Sequence, residues 1–98
     1  MHRILQLLEN LDDEERDTRK YVQQYSSVCL LDKDLAELYL TLARAELDHY
    51  SKLHAQLERI IKLKHAEQPD FMDGMYQWVH DRGIARMAEL KQCIDSCK

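Results

Sequence analysis

Apolar residues recur every three or four positions along most of the chain, which is the spacing of one face of an α-helix. Three such stretches predict helices over about 3–27, 33–67 and 70–97. The second contains neither glycine nor proline and would span roughly 50 Å. Asp32 precedes it as a candidate N-cap, and Pro69 suits the first turn of the third helix.

Short connections make neighbouring helices antiparallel, so the pattern predicts one domain over 1–98, an all-α, up-down-up three-helix bundle. Gly83 lies within the apolar stripe of the third helix, where a missing side chain permits close backbone approach or a local bend. Three helices rarely bury all of their apolar surface, and we therefore expect self-association to a dimer or a larger homo-oligomer. The third helix is expected to bury Met72, Met75, Tyr76, Val79, Met87, Leu90, Ile94 and Cys97.

Composition narrows the class of protein. The net charge is −4 and no stretch forms a basic stripe, which argues against nucleic-acid binding. No segment approaches the roughly 18 to 20 apolar residues of a membrane span, and Met1–Leu11 is too short and too soon acidic for a secretory signal. Cys29, Cys93 and Cys97 lack metal-ligand spacing, so we expect three reduced thiols in a cytoplasmic protein.

The apolar stripe of the second helix is interrupted by a Glu-x-x-His pair, Glu46 and His49. A carboxylate and an imidazole on a buried face need a metal, an opposite charge or a hydrogen-bond network. The residues within about 80° of Glu46 on the helical wheel are Leu35, Leu38, Tyr39, Leu42, His49, Tyr50, Leu53, Leu57 and Ile60.

A second carboxylate is expected at the same height. With the first turn near Leu30, Glu46 lies sixteen residues beyond it and Glu14 sixteen before it. Glu14 and Glu15 flank the apolar face of the first helix about equally, so the angle leaves both possible, while the height favours Glu14. One Glu from one helix and a Glu-x-x-His from its partner make half of a carboxylate-bridged di-iron or di-manganese site.

These motifs resemble the iron-ligand helices of the ferritin-like superfamily, and of rubrerythrin-type sequences in particular. The segment EERDTRKY over 14–21 is similar to the first such helix, and LAELYLTLARAELDHYSKLHAQL over 35–57 to the second. The resemblance implies a ferritin-like bundle with Glu14, Glu46 and His49 as ligands of iron or manganese. Classical members repeat the hairpin within one chain, whereas this chain has no second Glu-x-x-His. A full site would therefore need a homodimer, and ferroxidase-type activity would follow only from a dinuclear site between subunits.

A looser resemblance covers 36–61 and 75–95, which look like small helical proteins encoded among the head and tail genes of Firmicute prophages. It implies a bacterial or phage-infected cytoplasm and an alternative function as a metal-free structural, assembly or interaction protein. In that alternative the Glu and His residues form a buried polar cluster. Arg86, at the same height on the third helix, would supply the counter-charge.

Three further side chains lie at the edges of the stripes. His54 is expected either to cap the core while partly exposed or to serve as an accessory ligand, and His80 occupies the corresponding edge of the third helix. Trp78 falls roughly 100° from Val79 and outside the stripe. An off-stripe tryptophan indicates a second packing surface, either between subunits or for a protein partner.

Overall fold

The computed structural model describes residues 1–70 and 73–97, and in these ranges the chain forms α-helices and no strand. The helices are α1 (His2–Val28), α2 (Lys33–Glu67) and α3 (Met75–Asp95). The all-α bundle is therefore confirmed. The bounds of α2 agree with the predicted ones, and α1 is one residue longer at each end.

The start of α2 is fixed by the predicted cap. Asp32 has an extended backbone, and its side chain accepts a hydrogen bond from the backbone N–H of Leu35 at 3.1 Å. This bond satisfies one of the N–H groups that a helix leaves unpaired in its first turn.

The start of α3 was predicted too early. Pro69 and Asp70 precede the helix, which begins at Met75 directly after Gly74. Gly74 has a φ of 81°, in the left-handed region, where a right-handed helix cannot continue and where glycine pays no steric penalty. The expectation for Met72 falls outside the described residues.

The core runs along a rod with extents of 55 × 20 × 14 Å. Helices α1 and α2 form the most extensive contact, whereas α3 lies mainly against α2. Within the described residues, no helix combines the length and the apolarity that crossing a bilayer requires. The buried apolar cluster consists of Ile4, Leu11, Tyr50, Leu57, Ile61, Val79 and Leu90.

The predicted stripe of α3 is largely confirmed. Val79, Leu90 and Ile94 are buried, and Met75, Tyr76 and Met87 pack partly buried against the core. Cys97 is also buried, with 8% exposure, but it lies beyond the end of the helix.

Gly83 allows α3 to approach the side chain of His54. A methyl group at position 83 would overlap the imidazole ring, so the close approach predicted from this glycine is confirmed. His54 is only 5% exposed, and its Nε2–H donates to the carbonyl oxygen of Val79 at 3.1 Å. The expectation of a partly exposed His54 is therefore wrong, because the missing side chain at position 83 makes room for the ring in the interior.

Between α1 and α3, which run parallel, lies a row of three solvent-accessible ion pairs that we call the α1–α3 ladder. Their N···O distances are 3.8, 3.6 and 3.5 Å, in the order Asp12–Arg82, Glu15–Arg86 and Arg19–Glu89. Exposed pairs of this kind contribute little energy one by one, so α3 depends chiefly on its apolar contact with α2.

Candidate metal centre

The antiparallel pairing of α1 and α2 brings Glu14 beside the Glu-x-x-His pair. His49 Nδ1 lies 3.5 Å from Glu14 Oε2 and 3.7 Å from Glu46 Oε2. One potential ligand atom from each residue lies within 4.8 Å of the others, and among the described residues this is the one group with such geometry. The structure thus brings together the three residues that were singled out from the sequence.

The site is less enclosed than the sequence suggested. The side chains of Glu14 and Glu46 are 21% and 18% exposed, but that of His49 is 52% exposed. Glu15 points to α3, so Glu14, turned about 100° further around α1, faces away from it. The carboxylates therefore lie in the seam of the hairpin, while the imidazole stands at its outer rim.

One oxygen of the Glu14 carboxyl group lacks a hydrogen-bond partner in this seam. Its Oε2 is buried and has no hydrogen-bond partner, and His49 Nδ1 lies 3.5 Å from it. Burial raises the pKa of Glu14 from 4.5 to about 7, and the neighbouring Glu46 carboxyl adds to the rise while His49 opposes it. Two carboxyl groups this close cannot both ionise without a penalty unless a positive charge joins them.

The donor set fits a divalent transition metal. Carboxylate oxygens with an imidazole nitrogen suit iron and manganese, and a buried acceptor without a donor is the group that a cation would satisfy. Three side chains from one chain would leave coordination positions open on the side of the exposed His49.

Arg86 does not provide the expected counter-charge to this pair of acids. Its guanidinium lies 3.6 Å from Glu15 and 3.1 Å from Glu89, and its side chain is 35% exposed. The predicted height was correct, but the direction was wrong because Glu15, and not Glu14, is the acid that α1 turns toward α3. Glu15 is thereby committed to an ion pair and is a poorer candidate ligand than Glu14.

A second polar cluster, around Glu58, joins α2 to α3. Glu58 Oε1 lies 2.8 Å from His80 Nδ1 and 3.3 Å from His54 Nε2, and Oε2 accepts a hydrogen bond from the Tyr76 hydroxyl at 3.4 Å. His54 therefore belongs to this cluster and is not an accessory ligand beside Glu14. Sequence reasoning missed Glu58, although its spacing of four residues from His54 was an available signal.

Trp78 lies on the surface, as its off-stripe position predicted. Its side chain is 53% exposed, and the guanidinium of Arg82 lies 5.4 Å from the ring centroid. The arrangement is a cation–π contact at the outer edge of α3.

No family model matches the chain, and no significant match was found among curated proteins or solved structures. The ferritin-like and prophage resemblances therefore rest on the sequence motifs.

Proposed function

We propose that Glu14, Glu46 and His49 form a half-site for iron or manganese that is completed by a second copy of the chain. The observation that carries this proposal is the buried, unpartnered Oε2 of Glu14 beside the Glu46 carboxyl and the His49 imidazole. A divalent cation would satisfy that oxygen and offset both the burial and the like charge of Glu46, which together raise the pKa of Glu14 to about 7.

The face around the site supports a two-fold partner. The apolar residues that continue the stripe at helical spacing are only partly buried, in contrast to those against α3. Packing this face on its own copy would cover them and would bring two Glu14/Glu46/His49 sets together. The residues in question are Leu7 and Tyr21 on α1, and Tyr39, Leu42, Leu53 and Ile60 on α2.

Each residue would have a definite role in the completed site. Glu14 and Glu46 would supply oxygen ligands from facing helices, and His49 would supply a nitrogen from the rim. Iron bound there would supply a redox couple. Ferroxidase-type activity requires a dinuclear site, and it is therefore expected only if two half-sites meet.

The proposal is tested by loading the full chain with Mn²⁺, or with Fe²⁺ under anaerobic conditions, and removing the excess metal. Elemental analysis and light scattering on the eluted protein then measure bound metal and oligomer mass together. We expect metal in a fixed ratio to a dimeric or larger species, and its loss in Glu46→Gln. Glu37→Gln, an exposed change on the same helix, is the matched control and should retain the metal. A metal-free wild-type eluate, or equal loss in Glu37→Gln, would contradict the proposal.

A metal-free interaction or assembly protein, as the prophage resemblance implies, is the second candidate. It is favoured by the position of His49 within 3.5 and 3.7 Å of the two carboxylates, since a protonated imidazole there would neutralise one of them. In that case the purified protein binds no metal, and His49→Ala destabilises it, whereas the half-site proposal expects metal loss from this variant.

A further inference from the structure

The three thiols of the chain gather at one end of the bundle. Since α1 and α3 run parallel, their carboxyl-terminal ends lie side by side. Cys29 is the C-cap of α1, Cys93 lies in the last turn of α3, and Cys97 follows two residues after that helix ends. All three are free thiols in the structure.

Two of these thiols share a cleft. Cys29 and Cys97 both line a cavity of about 390 Å³, together with Val22, Tyr25 and Ser96. Cys97 is 8% exposed, and Cys29 is the more accessible of the two. Burial raises the pKa of the Cys97 thiol, and Cys93 and Cys29 contribute to the rise as neighbouring groups.

Cys93 has a different environment. Its sulfur accepts an N–H from Arg19 on α1 at 3.8 Å, outside the shared cleft, and its carbonyl accepts the Cys97 S–H at 3.4 Å. A bond between Cys93 and Cys97 would join neighbouring turns of one segment. A bond between Cys29 and Cys97 would tie two helices together across 67 intervening residues.

We propose that Cys29 and Cys97 form a peroxide-sensitive dithiol that closes to an intrachain disulfide. The Cys29 thiolate attacks one peroxide oxygen, the O–O bond breaks, and a sulfenic acid and hydroxide result; the hydroxide takes up the proton that the Cys29 thiol had released and becomes the first water. The Cys97 sulfur then attacks the Cys29 sulfur, the S–S bond forms and the S–O bond breaks, and the departing hydroxide takes the proton of the Cys97 thiol and leaves as the second water. Two thiols are oxidised by two electrons and one peroxide is reduced, so the step balances. Metal binding at Glu14 is not required.

The disulfide would fix the end of α3 on α1. Without it, the polar contacts between these two helices are the α1–α3 ladder and the bond from Arg19 to Cys93. Closing a long loop restricts the unfolded chain, so the oxidised protein should unfold at a higher temperature than the reduced protein.

The test treats the full, reduced chain with hydrogen peroxide, alkylates the remaining thiols, and maps the linked peptides without reductant. Cleavage on the amino side of Asp95 separates Cys93 from Cys97. We expect an intact mass lower by two hydrogen atoms before alkylation, and after it a Cys29–Cys97 link and an alkylated Cys93. The thermal midpoint should rise on oxidation and return with reductant.

Three variants make the test specific. Cys93→Ser should retain the link and the rise in midpoint, whereas Cys29→Ser and Cys97→Ser should lose both. Because Cys97 is buried, Cys97→Ala provides a second form should the serine variant fail to fold. A Cys93–Cys97 link, links only between chains, or three alkylated thiols after peroxide would each overturn the proposal.

Discussion

The imidazole of His54 occupies the space that a side chain at position 83 would need. The ring is held there by the Val79 carbonyl at 3.1 Å and by Glu58 at 3.3 Å, so it cannot turn aside without giving up these contacts. The fit between α2 and α3 therefore depends on the absence of one methyl group, and this relationship is open to a direct test.

Gly83→Ala should destabilise the protein by about 1–3 kcal/mol. Helix propensity alone favours alanine by about 1 kcal/mol, but overpacking against His54 typically costs about 1–3 kcal/mol and displaces a hydrogen bond worth about 1 kcal/mol. Urea unfolding followed by circular dichroism measures the change. In a His54→Ala background the same substitution should cost less, and a stabilised Gly83→Ala protein would refute the steric relationship.

Glu58→Ala should cost about 1–3 kcal/mol, because it removes the acceptor of both His80 and Tyr76 and the carboxylate that lies 3.3 Å from His54. The free energy of unfolding in urea measures this loss. Glu37→Ala, at an exposed position of the same helix, should change it by less than about 0.5 kcal/mol. Equal effects of the two substitutions would show that the Glu58 cluster contributes nothing to the joining of α2 and α3.

Arg86→Ala should cost less than about 1 kcal/mol, since both of its ion pairs lie near the surface. Leu90→Ala, one turn away and fully buried, should cost about 2–5 kcal/mol. Thermal or urea unfolding compares the two. A loss of about 3–5 kcal/mol for Arg86→Ala, the value for one partner of a buried pair, would restore the buried counter-charge that the sequence suggested.

The metal-free protein should lose stability as the pH rises from about 4.5 to 7 through the contribution of Glu14. In this window the folded state keeps the Glu14 proton while the unfolded state has released it, so each rise in pH favours the unfolded chain. Glu14→Gln removes the effect. Because about a fifth of the Glu14 side chain meets water, we expect the variant to gain about 1–2 kcal/mol over the wild type between the ends of the window. The midpoints of urea unfolding of both proteins at several pH values measure this gain. Parallel pH profiles of the wild type and Glu14→Gln would contradict the prediction.

The sequence predicted the helices well where local signals were strong. An uninterrupted stripe and a capping Asp32 defined α2, whereas the start of α3 was misplaced because it was inferred from Pro69 alone. The left-handed backbone of Gly74 sets that boundary. Whether a glycine adopts this conformation depends on its structural surroundings, which the sequence alone does not give.

The position of the candidate site was predictable from the sequence, but the solvent exposure of its side chains was not. Equal residue counts on either side of the turn placed Glu14 level with Glu46, and the structure places them together. Periodicity shows which face of a helix is apolar, but not which face a third helix will cover, so the exposure of His49 could not be foreseen. Glu58 was missed because it lies about 120° from Glu46 on the helical wheel, outside the stripe.

The α1–α3 ladder favours one axial register of α3 against α1. Helix α1 presents acid, acid and base in order, and α3 presents base, base and acid. A slide of one turn would set Glu15 against Glu89 in one direction, or Arg19 against Arg86 in the other. Because these charges face water, dissolved salt screens the electrostatic interactions between them. At high salt the ladder would contribute still less, and the register of α3 would rest on the fit of His54 against Gly83 and on the Glu58 cluster.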